Sequence, residues 1–96
     1  MAAVRYTERA LAHLERVTEF LNAANPDAAA NTAAVIFAAI DILHSHPEIG
    51  RPGEDEFREL VISRGNTGYV ALYRYDEHDD LVVVHAIRHQ REAGYS

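Results

Sequence analysis

Residues 57–95 limit the possible folds more than any other part of this chain. They hold three apolar, β-branched runs separated by Gly65-Asn66-Thr67-Gly68 and by Asp76-Glu77-His78-Asp79-Asp80. Both breaks are turn signals, and the runs are short and rich in Val, Ile, Leu and Tyr, which predicts a three-strand antiparallel meander. Arginine recurs throughout: Arg58 and Arg64 in the first run, Arg74 ending the second, Arg88 and Arg91 after the third. A sheet bearing guanidinium groups is expected.

The upstream half reads as one short strand and two helices. Ala3-Val4-Arg5-Tyr6 suits an edge strand, and Thr7 is placed to cap a helix whose first turn carries Glu8. Ala10, Leu11, Leu14, Val17 and Leu21 recur at helical spacing, with Phe20 beside them, and mark one buried stripe. Asn25-Pro26 ends this helix and starts a second, because proline disfavours helical geometry before itself yet fits the first helical position. Residues 26–45 are alanine-rich, with Ala29, Ala33, Ile36, Phe37, Ile40 and Leu43 on the apolar side. His46-Pro47 stops them, and residues 49–53 have the Pro and Gly content of a connector.

The order β-α-α-β-β-β predicts an α+β domain in which a helical hairpin lies on one face of a sheet. With 96 residues the chain makes one domain that buries roughly 60–70% of its unfolded surface. Strand alternation leaves the faces open to question. Arg58, Leu60, Ile62 and Arg64 alternate with Phe57, Glu59 and Val61, and Val70 and Leu72 alternate with Tyr69, Ala71, Tyr73 and Tyr75. The expectation is one face under the helices and a second, lined with Tyr and Arg, left for a partner. The tyrosines suit sheet surface and core better than base stacking.

Composition removes several function classes. There is no cysteine, so neither disulfides nor thiolate metal sites hold this fold. Fifteen acids against nine bases, all nine of them arginine, give a net charge of −6, which disfavours a general nucleic-acid binder. The N-terminus lacks a signal-peptide core and no run approaches about 18 apolar residues, so a cytoplasmic protein without a membrane span is expected. His44 and His46 fall at a helix end, and His85 and His89 share a strand face by parity, about 13 Å apart. No third ligand converges with them, so neither metal nor cofactor is expected. Ser45, Ser63 and Ser96 lie in no nucleophile context.

Five short motifs, in order, resemble the RelE/ParE superfamily of toxins from toxin–antitoxin systems. Asn25-Pro26-Asp27-Ala28-Ala29 is similar to its interhelical joint, and Leu43-His44-Ser45-His46-Pro47 with Gly50-Arg51 to the loop that follows. Arg58-Glu59-Leu60 resembles its "REL" strand, Tyr69 to Arg74 its "YxxxYR" strand, and Ile87-Arg88-His89-Gln90-Arg91 its C-terminal ending. The resemblance covers nearly the whole chain and implies a toxin silenced by a cognate antitoxin.

Two activities occur on that scaffold, gyrase poisoning and ribosome-dependent mRNA cleavage. Nuclease members carry a basic pair on the "REL" strand and an arginine after the next Gly-Tyr. Here Val70 follows Gly68-Tyr69, and Arg58 and Arg64 are too far apart to form an alternate-residue pair. The resemblance therefore implies a ParE-like protein that binds DNA gyrase without chemistry of its own, through Arg58, Arg64, Arg74, Arg88, His89, Arg91 and Tyr95. The alternative is a RelE-like endoribonuclease acting on mRNA at the ribosome through Arg58, Arg74, His89 and Tyr95. A further alternative is a non-toxic member that only binds antitoxin. In each case the antitoxin would wrap the helical hairpin and the Tyr/Arg face, at Leu14, Val17, Leu21, Tyr73 and Tyr75. Arg58 and Arg74 could also merely neutralise their acidic neighbours.

Overall fold

Local capping signals decide where the helices begin and end. The computed structural model describes residues 1–62 and 68–90. Thr7 precedes helix α1, Glu8–Ala24, and its hydroxyl accepts a 3.1 Å bond from the Ala10 N–H; such a cap contributes about 1 kcal/mol. Asn25 closes α1 and opens α2, Pro26–Asp41. Its N–H donates to the Leu21 carbonyl, while its side chain accepts from the N–H groups of Asp27 and Ala28. A single 3-10 turn, Ile42–His44, extends α2.

Five strands form one sheet in the order β1-β5-β4-β3-β2, where β1 is Ala3–Tyr6, β2 Arg51–Pro52, β3 Arg58–Ile62, β4 Tyr69–Asp76 and β5 Leu81–His89. Neighbours are antiparallel except β1 and β5, which run parallel. The expected helical hairpin and meander are both present. Two features differ from expectation. The connector at residues 49–53 supplies β2, because Gly50 lets the chain lie against Tyr73 and pair with the start of β3. A Cβ at Gly50 would stand 2.6 Å from Tyr73 Cε1, so only glycine fits without displacement.

The assignment of sheet faces also needs correcting. Ile62, Tyr69, Ala71, Tyr73, Val82, Val84 and Ile87 form the core with Ala10 and Leu14 of α1 and Ile36 and Ile40 of α2, and Tyr75 packs against it. The tyrosine row of β4 is therefore the inner, helix-covered face. Tyr73 is wholly buried and its hydroxyl accepts the Gly50 N–H at 2.8 Å. Packing chooses this side because three large aromatic rings bury more apolar area than Val70 and Leu72.

A β-bulge breaks the alternation of β5. Leu72 pairs with Ala86 and Tyr73 with Val84, which leaves His85 as the extra residue. His85 turns outward against Phe57, whereas His89 lies inward against Tyr69. The two histidines expected on one face are on opposite faces. Helix α2 with its 3-10 turn, Pro26–His44, is long and apolar enough by composition to cross a bilayer, with mean hydropathy 1.3. Its many alanines raise that value without forming a strictly apolar run. Ile36 and Ile40 are fully buried against the sheet, as in a core helix.

Candidate functional site: the outer face of the sheet

The strand registers place side chains in rows on the face turned away from the helices. One row runs Arg5, Val83, Arg74 and Phe57 across β1, β5, β4 and the residue before β3. The next carries His85, Leu72, Glu59 and Arg51. The third holds Arg88, Val70 and Val61. Among the described residues this face thus offers arginines, the His85 imidazole, the Phe57 ring and a strip of aliphatic surface, against the carboxylates of Glu59 and Asp76.

Arg51, Arg74 and Arg88 are each held by neighbouring groups. The Arg74 guanidinium lies 4.1 Å from the centre of the Phe57 ring, and its Nη2 donates to the Asp55 carbonyl at 2.8 Å. Asp55 and Glu56 sit at φ 53 and 66, left-handed values that non-glycine residues rarely adopt, so Arg74 clasps a strained turn. Arg51 Nη2 meets Glu59 Oε1 at 3.3 Å and Arg88 Nη2 meets Glu59 Oε2 at 3.8 Å, so one carboxylate joins two guanidiniums. Arg88 also donates to the carbonyls of His89 and Gln90.

His85 packs edge-on to Phe57 at 5.2 Å between centroids. Burial lowers its pKa from the ordinary imidazole value, and the positive charges of Arg74 and Arg9 lower it further. At the rim of the sheet, a cleft of about 760 Å³ is lined by Phe57, Arg58 and Arg74 together with Glu48, Glu56, Asp76 and Glu77. Basic and acidic side chains therefore mix in this cleft.

Of the residues expected to bind a target, Arg74 and Arg88 lie on this face. Arg58 does not: it points to the inner side, where Nη1 donates to the carbonyls of Glu48 and Gly50 at 2.9 Å each and Nη2 stands 3.7 Å from Glu48 Oε2. It secures the loop that leads into β2. His89 also faces inward, against Tyr69. Arg64, Arg91 and Tyr95 lie outside the described residues.

Of the residues expected to meet an antitoxin, Leu14 and Tyr73 are buried in the protein's own core. Val17, Leu21 and Tyr75 are half-buried. The Tyr75 hydroxyl donates to Asp80 Oδ1 at 2.7 Å, which with burial and nearby acids pushes its pKa up to about 12. Arg5, Arg51, Phe57 and His85 were missed by the sequence reading. Arg5, Phe57 and His85 could have been found by strand alternation from the core positions; it is the faces of Arg88 and His89 that required the bulge. Among the described residues no three His, Asp or Glu side chains converge to hold a metal.

Fold and site together define a small α+β protein whose sheet is covered by helices on one side and presents fixed cations on the other. The model for the ParE toxin of type II toxin–antitoxin systems, parDE, matches residues 4–94. The chain belongs to this toxin family. It is 34% identical over 92 residues to Toxin RelE3 of Caulobacter vibrioides, covering 96% of this chain and 98% of that one. It is 38% identical over 89 residues to Toxin RelE2 of the same organism, covering 93% and 96%. The fold superimposes on a chain of the chromosomal ParDE system from P. aeruginosa with TM-score 0.76, at 20% identity and 93% and 96% coverage. It also superimposes on a chain of the intact E. coli RelBE toxin–antitoxin complex with TM-score 0.69, at 14% identity and 97% and 100% coverage.

Proposed function

We propose that this type II toxin acts by binding rather than by chemistry of its own, that its target is DNA gyrase in the cytoplasm, and that a cognate antitoxin silences it. The observation that carries the reading is the state of the outer face. Among its described residues, the Glu59 carboxylate is engaged by Arg51 and Arg88, the Asp76 carboxylate accepts the Asp79 N–H, and the His85 imidazole is packed against Phe57. General acid–base cleavage of RNA needs two proton-transferring groups on either side of a phosphate. The described residues of this face instead form a rigid recognition surface of guanidiniums and apolar side chains, the composition that dominates protein interfaces. Purified toxin should inhibit supercoiling by gyrase, and Arg74→Ala should weaken that inhibition at least about tenfold, the order expected for loss of an interfacial arginine.

One observation favours a second reading, the RelE-like endoribonuclease. His85 has a lowered pKa and stands beside Arg74 and Phe57, so a neutral base, a phosphate-binding cation and a stacking ring occur together. Cleavage of mRNA on translating ribosomes, lost in His85→Ala, with gyrase unaffected would establish that reading and overturn the first.

The antitoxin is expected to use exposed apolar positions of the hairpin. Leu11 of α1 and Phe37 of α2 are 49% and 43% exposed and replace Leu14 and Tyr73 as anchors. Replacing both Leu11 and Phe37 by Ser should weaken antitoxin capture while leaving target inhibition intact.

A further inference from the structure

Strand β1 ends at Tyr6, paired with Val84, but β5 continues to His89. The outer edge of β5 beyond Val84 therefore has no strand beside it, and an edge buried under a helix needs partners for its backbone groups. Helix α1 and its cap supply them. The Thr7 N–H donates to the Val84 carbonyl at 2.9 Å, and the Thr7 hydroxyl donates to the His85 carbonyl at 3.1 Å. One step further, the Ile87 N–H donates to Nδ1 of His13 at 3.0 Å in a buried bond. His13 is only 4% exposed and lies on the stripe of α1 that contains Ala10 and Leu14.

These contacts bracket the bulge. Without the extra residue, alternation from inward-facing Val84 would turn Ile87 outward and Arg88 inward, since a one-residue slip exchanges the faces of all residues that follow. With it, Ile87 enters the core and Arg88 reaches Glu59 on the outer face. We propose that His13 is a positioning residue: by accepting the Ile87 N–H it locks the register of β5 after the bulge, and so sets Ile87 in the core and Arg88 on the outer face. His13 takes the place of a missing strand neighbour, and it ties the helical hairpin directly to the backbone that carries the candidate site. The consequence for target binding rests on the reading of the outer face given above; the bond and the register it fixes do not.

The bond fixes the tautomer, since an accepting Nδ1 in a neutral imidazole leaves the proton on Nε2. Gln offers a carbonyl oxygen in its place, whereas Leu fills the space and accepts nothing. The full-length chain, labelled with 15N, tests the proposal in three ways. In the unmodified protein a coupling across the hydrogen bond should connect Ile87 N with His13 Nδ1; its absence overturns the proposal without any variant. In His13→Leu, exchange of the Ile87 amide should accelerate about tenfold, the factor matching loss of one net hydrogen bond. The Arg88 side-chain Nε–H resonance should also shift as the guanidinium leaves Glu59. In His13→Gln both readouts should return toward those of the unmodified protein.

A His13→Leu protein of lower melting temperature, with Ile87 exchange and the Arg88 resonance unchanged, would reduce His13 to a packing residue and overturn the positioning role. If His13→Leu does not fold, the coupling in the unmodified protein decides alone. A gyrase assay on the same proteins separates the two ideas: an altered Arg88 resonance with no gyrase effect in any of them would leave the positioning role intact and refute the target.

Discussion

The two sides of the sheet are built from the same strands, often from adjacent residues, yet they are held by different forces. On the inner side Tyr73 is fully enclosed and meets Gly50, Val84 and the helices. One residue on, Arg74 is exposed, with its guanidinium over the Phe57 ring and bonded to the Asp55 carbonyl. The inner face is fixed by area removed from water, which is non-directional and large. The outer face is fixed by directional contacts between charges and rings, each worth little for stability. The core and the candidate recognition surface are thereby separated along a single strand, so substitutions at neighbouring positions should have unrelated effects.

The largest expected effect is at Tyr73. Tyr73→Ala removes a wholly buried ring and should cost about 3–5 kcal/mol, as for other large aromatic truncations. Urea unfolding of the purified chain would measure it. Tyr73→Phe keeps the ring but leaves the Gly50 N–H buried without its acceptor, at about 1–3 kcal/mol. If both variants were as stable as the unmodified protein, the inner face would not be the core described above.

Gly50→Ala comes next, at about 1–3 kcal/mol, the usual cost of forcing an atom into a packed interior. The added Cβ would press on Tyr73 Cε1 and its hydroxyl oxygen, which stand 2.6 and 2.7 Å away. Thermal melts should place this variant between Tyr73→Ala and the substitutions of the outer face. Arg74→Ala should cost about 1 kcal/mol or less in stability, because its partners are exposed, while weakening target inhibition at least about tenfold. A stability loss as large as that of Tyr73→Ala would erase the distinction between the faces.

How far this organisation could be read from the sequence follows from the same distinction. Capping is local chemistry, so Thr7 and Asn25-Pro26 set the helix ends in agreement with the structure. The β-branched runs between turn signals gave β3, β4 and β5. The choice of face is not local. Apolar residues occur on both sides of β3 and β4, and only the volume of three tyrosines packed under the hairpin decides which side is inside. The bulge at His85 is likewise invisible to parity, because nothing in Val83-Val84-His85-Ala86 marks the extra residue; it follows from where β1 stops and α1 begins. His13 carried a usable signal, since it stands three residues after Ala10 and one before Leu14 on the apolar stripe of α1. A histidine there must find a buried partner.

The smallest effect is the pH dependence contributed by His85, and it tests whether that half-buried ring belongs to the fold or only to the surface. Its pKa in the folded protein is lowered from 6.5, first by burial and then by Arg74 and Arg9. Above the unfolded value both states are neutral and the group has no effect on stability. As pH falls below 6.5 the unfolded chain binds a proton that the folded protein resists, so stability declines. The decline stops once pH passes the lowered folded value and both states are charged. Urea midpoints collected from pH 8 to pH 4 should therefore show a loss in that window that is absent from His85→Phe. Arg74→Ala should narrow the window, because it removes one of the two charges that oppose protonation. The same window in both variants as in the unmodified protein would detach His85 from the outer-face cluster and leave that face to its arginines alone.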